Sequence, residues 1–401
     1  MAILKGLDMM KFKENIPNRE AKIAAAQAVD APPIGSYTPN RLAAQLHPAV
    51  QHLRVEKVVQ ETADAISYTL VPDTEKGTKE LAFFSAGNYL SIREVVDGVT
   101  LTRPYSLSSS PKESEAGVYR LTVKRTEGGL MSVYIQDHWR VGTCVEASAP
   151  LGTFTYNRLR DAKTIVGLAG GSGITPFYSM AQAIAEGDMD AKLILLYGAK
   201  TVEDIVFHKE LDALAAACEK LQVVYVLSDE EREGFAHGFL SADLIRQYAP
   251  EDAEYSIFIC GPKNMYRFVD QEIATLGLRR KFVRHELFGE PFGKDLGEDA
   301  AVQAGQTFQL TVHQPGEAVR TITCSTDETL LRSMEKAGIH APAHCRSGVC
   351  GFCHSRLMAG KVYVPENHEA RREADMIYSY VHPCVSFPLS DLEIELPIFR
   401  N

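Results

Sequence analysis

Three cysteines, Cys345, Cys350 and Cys353, fall within nine residues, and a fourth, Cys384, follows after a gap of thirty. Two irons bridged by sulfide need four thiolates at tetrahedral positions. One tight loop can supply three, and a distant segment folded back onto it the fourth. The loop reads Cys345-Arg346-Ser347-Gly348-Val349-Cys350-Gly351-Phe352-Cys353. Gly348 and Gly351 suit a backbone whose N–H groups must come close to sulfur and tune it. A zinc site ordinarily pairs two C-x2-C halves, and only one half is present. A Rieske centre needs C-x-H units, and neither half has one. His344 and His354 adjoin cysteines in sequence, which points their side chains elsewhere, so both read as structural or surface residues. Cys324 lies outside the pattern and reads as core. The spacing therefore predicts a [2Fe–2S] cluster on Cys345, Cys350, Cys353 and Cys384.

The elements around this loop are strand-like at Phe308–Val312 and Val319–Cys324, then helical from Asp327 to Ala337, stopped by Gly338. Strand, strand, helix and cysteine loop follow in the order of a β-grasp, and this part of the chain resembles a plant-type ferredoxin domain.

Upstream, a strand ends in Arg103-Pro104-Tyr105-Ser106, and a later one runs Val123-Lys124 into Arg125-Thr126-Glu127-Gly128-Gly129-Leu130-Met131-Ser132. Either element alone is weak, since Gly-Gly usually marks a turn. In this order they resemble the flavin-domain signature of the ferredoxin–NADP+ reductase superfamily, R-x-Y-S followed by G-G-x-x-S. The resemblance implies that Arg103 forks onto the flavin pyrophosphate, that Tyr105 lies along the flavin, and that the Ser106 hydroxyl bonds flavin N5. It places Gly128, Gly129 and the following helix at the phosphates, with Ser132 capping that helix. The turn is closer to FAD members than to FMN members, so FAD is expected.

Next, an apolar strand enters Gly170-Gly171-Ser172-Gly173-Ile174-Thr175-Pro176 and then a helix near Phe177–Glu186. A glycine-rich strand-to-helix turn serves phosphate binding or merely close packing. Further strands at Leu193–Tyr197, Val223–Leu227 and Ser256–Ile259 alternate with helices such as Phe207–Leu221, which predicts a parallel sheet. The last strand enters Cys260-Gly261-Pro262-Lys263-Asn264-Met265, resembling the superfamily's nicotinamide-side turn, and His285-Glu286-Leu287-Phe288 resembles its E-x-F end. The resemblance implies that Cys260 and Glu286 stand near the reacting rings with Ser106. Ser228-Asp229-Glu230 places carboxylates where a 2′-phosphate would otherwise sit, pointing to NADH, while Lys200 keeps NADPH open.

The chain of 401 residues has 45% apolar and 23% charged residues and a net charge of −10. Such a chain folds, and its acidity argues against nucleic-acid binding. No run approaches the ~18 apolar residues of a membrane span and no signal-peptide pattern is visible, so a cytoplasmic location is expected. The expected organisation is multidomain. Residues 1–48 form an N-terminal extension with an Ala-rich helix from Arg19 to Asp30 ended by Ala31-Pro32-Pro33. Residues 49–158 form an antiparallel β-barrel for FAD, and 159–289 a doubly wound α/β domain for NAD(P)H. A mobile linker occupies 290–304, and an α+β β-grasp [2Fe–2S] ferredoxin-like domain 305–401.

This order implies an NAD(P)H-dependent electron-transfer reductase. Its partner would be a protein electron acceptor, a metalloprotein such as an oxygenase or hybrid-cluster protein, or a corrinoid protein awaiting activation. A non-catalytic iron–sulfur redox sensor and a partner-independent NADH oxidase remain the alternatives.

Overall fold

The computed structural model describes residues 6–27, 36–251, 253–291 and 303–397. The chain divides into two units, 1–48 and 49–401. In the first, helix α1 (Gly6–Gln27) passes through Pro17 and so begins well before the predicted Arg19, and α2 (Thr38–Leu46) carries a proline in its first turn, where no intrahelical N–H is needed. The predicted stop at Ala31-Pro32-Pro33 lies outside the described residues.

The second unit opens with strands β1 (Gln51–Gln60), β2 (Ala65–Pro72), β3 (Tyr89–Val96), β4 (Val99–Ser106), β5 (Tyr119–Lys124) and β6 (Cys144–Ala147), and with helices α3 (Pro111–Glu115) and α4 (Leu130–His138). The strands pair antiparallel in the order β4-β3-β6-β1-β2-β5. The two edges meet through a Leu107–Leu121 bridge and a bond from the Ser108 N–H to the Arg120 carbonyl at 2.8 Å. The barrel thus leaves little unpaired edge. Inward residues such as Leu53, Tyr68, Leu90 and Leu121 form its core. Trp139 closes one end, edge-on to Tyr68 at 5.2 Å, with its Nε1–H donated to Glu94 at 2.9 Å.

Strands β7 (Thr164–Gly170), β8 (Lys192–Ala199), β9 (Leu221–Leu227), β10 (Ala236–His237), β11 (Tyr255–Cys260) and β12 (Val283–His285) form a parallel sheet ordered β10-β9-β8-β7-β11-β12. Helices α5 (Ile174–Ala185), α6 (His208–Ala217), α7 (Ala242–Tyr248) and α8 (Lys263–Ala274) alternate with the strands. Apolar side chains point both ways from the strands: Leu195 joins one buried cluster and Leu196 another. A sheet covered on both faces needs continuous apolar strands of this kind. Strand order reverses at β7, and ligands bind beyond the carboxyl ends of strands at such a reversal.

The last part holds β13 (Thr307–His313), β14 (Arg320–Ser325), α9 (Leu330–Lys336), β15 (Ser355–Ala359), β16 (Val362–Tyr363), α10 (Glu373–Ile377), β17 (Tyr380–Val381), β18 (Phe387–Pro388) and β19 (Leu392–Glu395). The main sheet is ordered β14-β13-β19-β15-β17, and β19 runs parallel to β13 between its neighbours. Helix α9 starts at Leu330, three residues after the predicted Asp327. The Thr329 hydroxyl accepts the Arg332 N–H at 3.3 Å and sets the cap there. Gly338, at φ +68°, ends the helix as expected. The linker is anchored at its described start, where Glu290 and Pro291 are buried. Residues 292–302, most of the predicted mobile segment, lie outside the described residues. Among the described residues no helix is long and apolar enough to cross a membrane.

Candidate functional site

The four cysteines of the predicted cluster converge, and they do so in pairs. Cys353 and Cys384 sulfurs lie 3.4 Å apart, and Cys345 and Cys350 sulfurs are in bonding reach of each other. No disulfide links any of the eight cysteines. Among the described residues no three His, Cys, Asp or Glu side chains converge as one metal ion would require. Two sulfur pairs instead suit two irons with two thiolates each, so the donor set fits a [2Fe–2S] cluster. N–H groups of Ser347 and Cys350 point at the Cys345 sulfur at 3.5 and 3.3 Å, and that of Phe352 at the Cys350 sulfur at 3.5 Å. The loop holds them there with Gly348 at φ +83°, where an added β-carbon would meet the His368 carbonyl at 2.9 Å. His344 packs on the Phe352 ring at 3.6 Å, and His354 stacks on Tyr380 at 4.0 Å and bonds Asp375 at 3.1 Å. Cys324 is buried in the core, its thiol toward the Phe308 carbonyl.

Arg103, Pro104 and Tyr105 are half-buried near the end of β4, and Ser106 is buried. Arg103 donates Nη1–H to the Thr102 carbonyl at 2.8 Å and stands 3.6 Å from Glu335. Its Nε and Nη2, and the Ser106 hydroxyl, take no partner among the described residues. A guanidinium with donors to spare fits a bound anion. Gly128, at φ +69° with open space around it, precedes α4, whose N-cap is Gly129. Ser132 does not cap this helix. It sits in the first turn, and its oxygen accepts the Thr126 N–H at 3.2 Å, tying the turn back on itself. Val123 and Met131 lie buried beneath, Leu130 is exposed, and Lys124 pairs with Asp64 at 3.0 Å.

The glycine loop after β7 mixes both expected uses. Gly170 and Gly173 are packing glycines: an added β-carbon would stand 2.4 Å from the Met265 sulfur in one case and 2.1 Å from the Cys260 carbonyl in the other. Gly171, at φ +51° with nothing within 4 Å, is the member open to a ligand. Ser172 lies in the same turn and accepts the Thr175 hydroxyl at 3.1 Å, while Ile174 and Thr175 open α5. The loop therefore presses against Cys260-Gly261-Pro262 across the β7–β11 boundary. At the end of β9 the Ser228 hydroxyl is donated to Asp229 at 2.6 Å, and Glu230 accepts the Val202 N–H at 3.0 Å.

These parts meet around Glu286. Its N–H bonds Ile259 at 2.9 Å, its side chain is buried, and Oε1 has no hydrogen-bond partner among the described residues. An orphaned buried carboxyl oxygen of this kind fits a site awaiting a polar ring. Burial pushes this carboxyl well above the usual carboxylate range. Nearby Cys345 adds to the rise and Arg284 opposes it. Burial likewise raises the Cys260 thiol, with Glu286 adding and Tyr266 opposing, so Cys260 is a packing surface rather than a nucleophile.

Three residues of this junction were missed from sequence. Tyr266 accepts the Gly261 N–H at 3.1 Å and donates to the Glu286 carbonyl, clamping the Cys-Gly-Pro turn to Glu286. Tyr89, paired with Ser106 in the barrel, sits edge-on to Phe288 at 5.2 Å. Burial raises the Tyr89 phenol strongly, and Cys345, Cys350 and Glu286 add to the rise, placing it between flavin strand and cluster loop. Arg284 donates to the Thr155 carbonyl and pairs with buried Asp161 at 2.7 Å, fastening β12 to the barrel. An isolated tyrosine or arginine in a strand carries no spacing signal; only the fold brings these three here.

Comparison with known proteins agrees with this division. Residues 52–156 match the model of an oxidoreductase FAD-binding domain, 168–271 an oxidoreductase NAD-binding domain, and 314–389 a 2Fe-2S iron-sulfur cluster binding domain. The chain is 31% identical to the ferredoxin reductase component of 3-ketosteroid-9-alpha-monooxygenase from Rhodococcus rhodochrous, over 86% of this chain and 96% of that protein. It is 28% identical to the glycine betaine monooxygenase reductase subunit of Chromohalobacter salexigens, over 86% of this chain and 95% of that protein. Among solved structures, phthalate dioxygenase reductase shares the fold at a TM-score of 0.60 and 24% identity, covering 87% of this chain and 98% of that one.

Proposed function

The chain belongs to the ferredoxin–NADP+ reductase superfamily, in the branch that carries a 2Fe–2S cluster-binding domain after its FAD- and NAD-binding domains, and from that premise we propose that it is the NADH-dependent reductase component of an oxygenase system. It is an oxidoreductase that passes electrons from a nicotinamide dinucleotide through FAD and the cluster to a protein acceptor. NADH as the donor, an oxygenase as the acceptor and a cytoplasmic location are the proposed refinements. The observation that carries the reading is the junction at Glu286, where flavin strand, nicotinamide turn and cluster loop meet.

When bound, FAD takes a hydride's electron pair and the cluster handles one electron at a time, which side chains cannot do. The chain's own residues bind and orient. Arg103 and the N-terminus of α4 would hold the FAD pyrophosphate, with Ser106 offering its hydroxyl to the ring. Gly171 and the start of α5 would receive the dinucleotide phosphates. Cys260, Gly261 and Pro262, braced by Met265 and Tyr266, would pack the nicotinamide against the flavin. Glu286, whose carboxyl burial pushes above the usual carboxylate range, would offer a hydrogen bond there in its protonated form. Cys345, Cys350, Cys353 and Cys384 would hold the cluster behind Tyr89.

Asp229 and Glu230 support NADH, since a 2′-phosphate beside two carboxylates is repelled. Eight unbridged cysteines support a reducing compartment. Steady-state reduction of a one-electron dye should favour NADH over NADPH by about 10-fold or more in kcat/KM; a preference for NADPH would overturn the donor assignment. A cluster that NADH reduces but that stays reduced under anaerobic conditions until a protein acceptor is added supports the acceptor reading. Fast peroxide release by the chain alone would replace it with the oxidase reading.

A further inference from the structure

The residue after the first cluster cysteine is an arginine in the left-handed region. Arg346 has φ +58°, a conformation its β-carbon disfavours. It is 1% exposed, an unusual place for a permanent cation. The backbone twist turns its side chain out of the cluster loop and into the seam with the flavin barrel. There it forks onto Glu335 of α9, Nη1 to Oε1 at 2.7 Å and Nη2 to Oε2 at 2.9 Å. Nη2 also pairs with Glu290 at the start of the linker, and Nη1 reaches the Thr102 carbonyl on β4 at 3.4 Å. Glu335 in turn stands 3.6 Å from Arg103. Two cations and two carboxylates from the barrel, linker, helix and cluster loop thus meet, with Arg346, Glu335 and Glu290 buried and Arg103 at the half-buried edge.

We propose that Glu335 and Arg346 are positioning residues for electron transfer, forming an ionic latch that registers the cluster loop on the flavin-binding strand. The inference rests on the reading of β4 as that strand. A pair serving only the ferredoxin domain would not need Thr102, Arg103 and Glu290. Buried charges left single are costly, so the latch closes only when all four side chains are in register. Adjacent Arg103 and Thr102 bring the same strand that carries Ser106 to the loop that carries Cys345. The latch does no chemistry. The dinucleotide gives up two electrons and a proton, and the cluster passes the electrons singly to the acceptor. The latch fixes only the distance over which each electron travels.

The test uses flavin- and cluster-loaded full-length protein, with Glu335→Gln as the main variant and Glu290→Gln, outside both domain cores, as the second. Anaerobic stopped-flow with NADH follows flavin bleaching and cluster bleaching separately. Hydrogen exchange reports the seam without turnover. In Glu335→Gln, flavin reduction stays within about twofold of wild type while cluster reduction slows about 10-fold or more, the change a lost charged contact brings. Exchange rises in residues 99–106 and 330–350. Glu290→Gln shifts both in the same direction by less, and Glu335→Asp recovers part of the loss. The cluster's paramagnetic signal keeps its shape, since no ligand is touched. Native cluster-reduction rates and native exchange in both glutamine variants overturn the latch. Wild-type protein that takes up cluster but no flavin overturns instead the reading of β4, leaving the two failures distinct.

Discussion

Ser106 is a buried residue at the end of β4 whose hydroxyl takes no partner among the described residues, and the proposed function assigns that hydroxyl to the flavin. Ser106→Ala should slow hydride transfer from NADH by about 10- to 100-fold, the worth of one hydrogen bond to a group gaining charge, with flavin content unchanged. A native rate in single-turnover spectra would remove Ser106 from the reaction. Glu286 makes a prediction about pH. Its folded value is raised, so the folded chain keeps a proton that the unfolded chain releases near the ordinary value of 4.5. Above that pH the native state binds more protons than the unfolded state, and stability falls as pH rises toward the folded value. Glu286→Gln should flatten this part of the melting-temperature profile; parallel profiles for variant and wild type would contradict the buried, protonated carboxyl. Of the residues at this junction, Ser106, Cys260 and Glu286 stood in recognisable motifs. Tyr89 and Tyr266 did not, because their roles come from a sheet register and from a helix side chain that reaches back to the Gly261 turn and across to Glu286.

At the scale of elements, alternation and glycine placement were legible. Strands β8, β9 and β11 are two or three residues longer than the predicted runs, β10 and β12 had no predicted run, and the order of barrel, nucleotide sheet and cysteine loop follows the motifs. The ends were harder. α9 begins at Leu330 because Thr329, not Asp327, caps it, and Ser132 folds onto Thr126 because Gly129 already occupies the cap. The glycine loop shows why motif reading alone is ambiguous, since two of its glycines serve packing and one faces space. Gly173→Ala should cost about 1–3 kcal/mol by overpacking against the Cys260 carbonyl and should raise the KM for NADH. Gly171→Ala meets no atom within 4 Å and should cost only about 1–2 kcal/mol for its left-handed backbone. Thermal melts of both variants check the order; a Gly173→Ala protein as stable as wild type would mean the loop can yield.

For the whole molecule, the seams matter as much as the domains. Arg284 and Asp161 are both buried where β12 meets the barrel. Arg284→Met should destabilise by about 3 kcal/mol, because buried Asp161 is left with only the Asn157 N–H at 2.8 Å and the distant Arg160 Nε at 3.5 Å. The double variant Arg284→Met with Asp161→Leu should recover much of that. Equal loss in single and double variants, measured by denaturant unfolding, would show the pair to be inert. Cys384→Ser should abolish the visible cluster bands while leaving NADH–ferricyanide activity at the flavin, separating the two halves of the relay. The sheet order of the last domain also bears on how the protein is born. β19, last among the described strands, lies between β13 and β15 rather than at an edge, and the fourth cluster sulfur arrives 31 residues after the third. Barrel and nucleotide sheet can close while the ribosome is still working. The ferredoxin sheet must hold a slot open for a strand not yet made, so the full set of cysteines for iron and sulfide exists only after the flavin half has been synthesised.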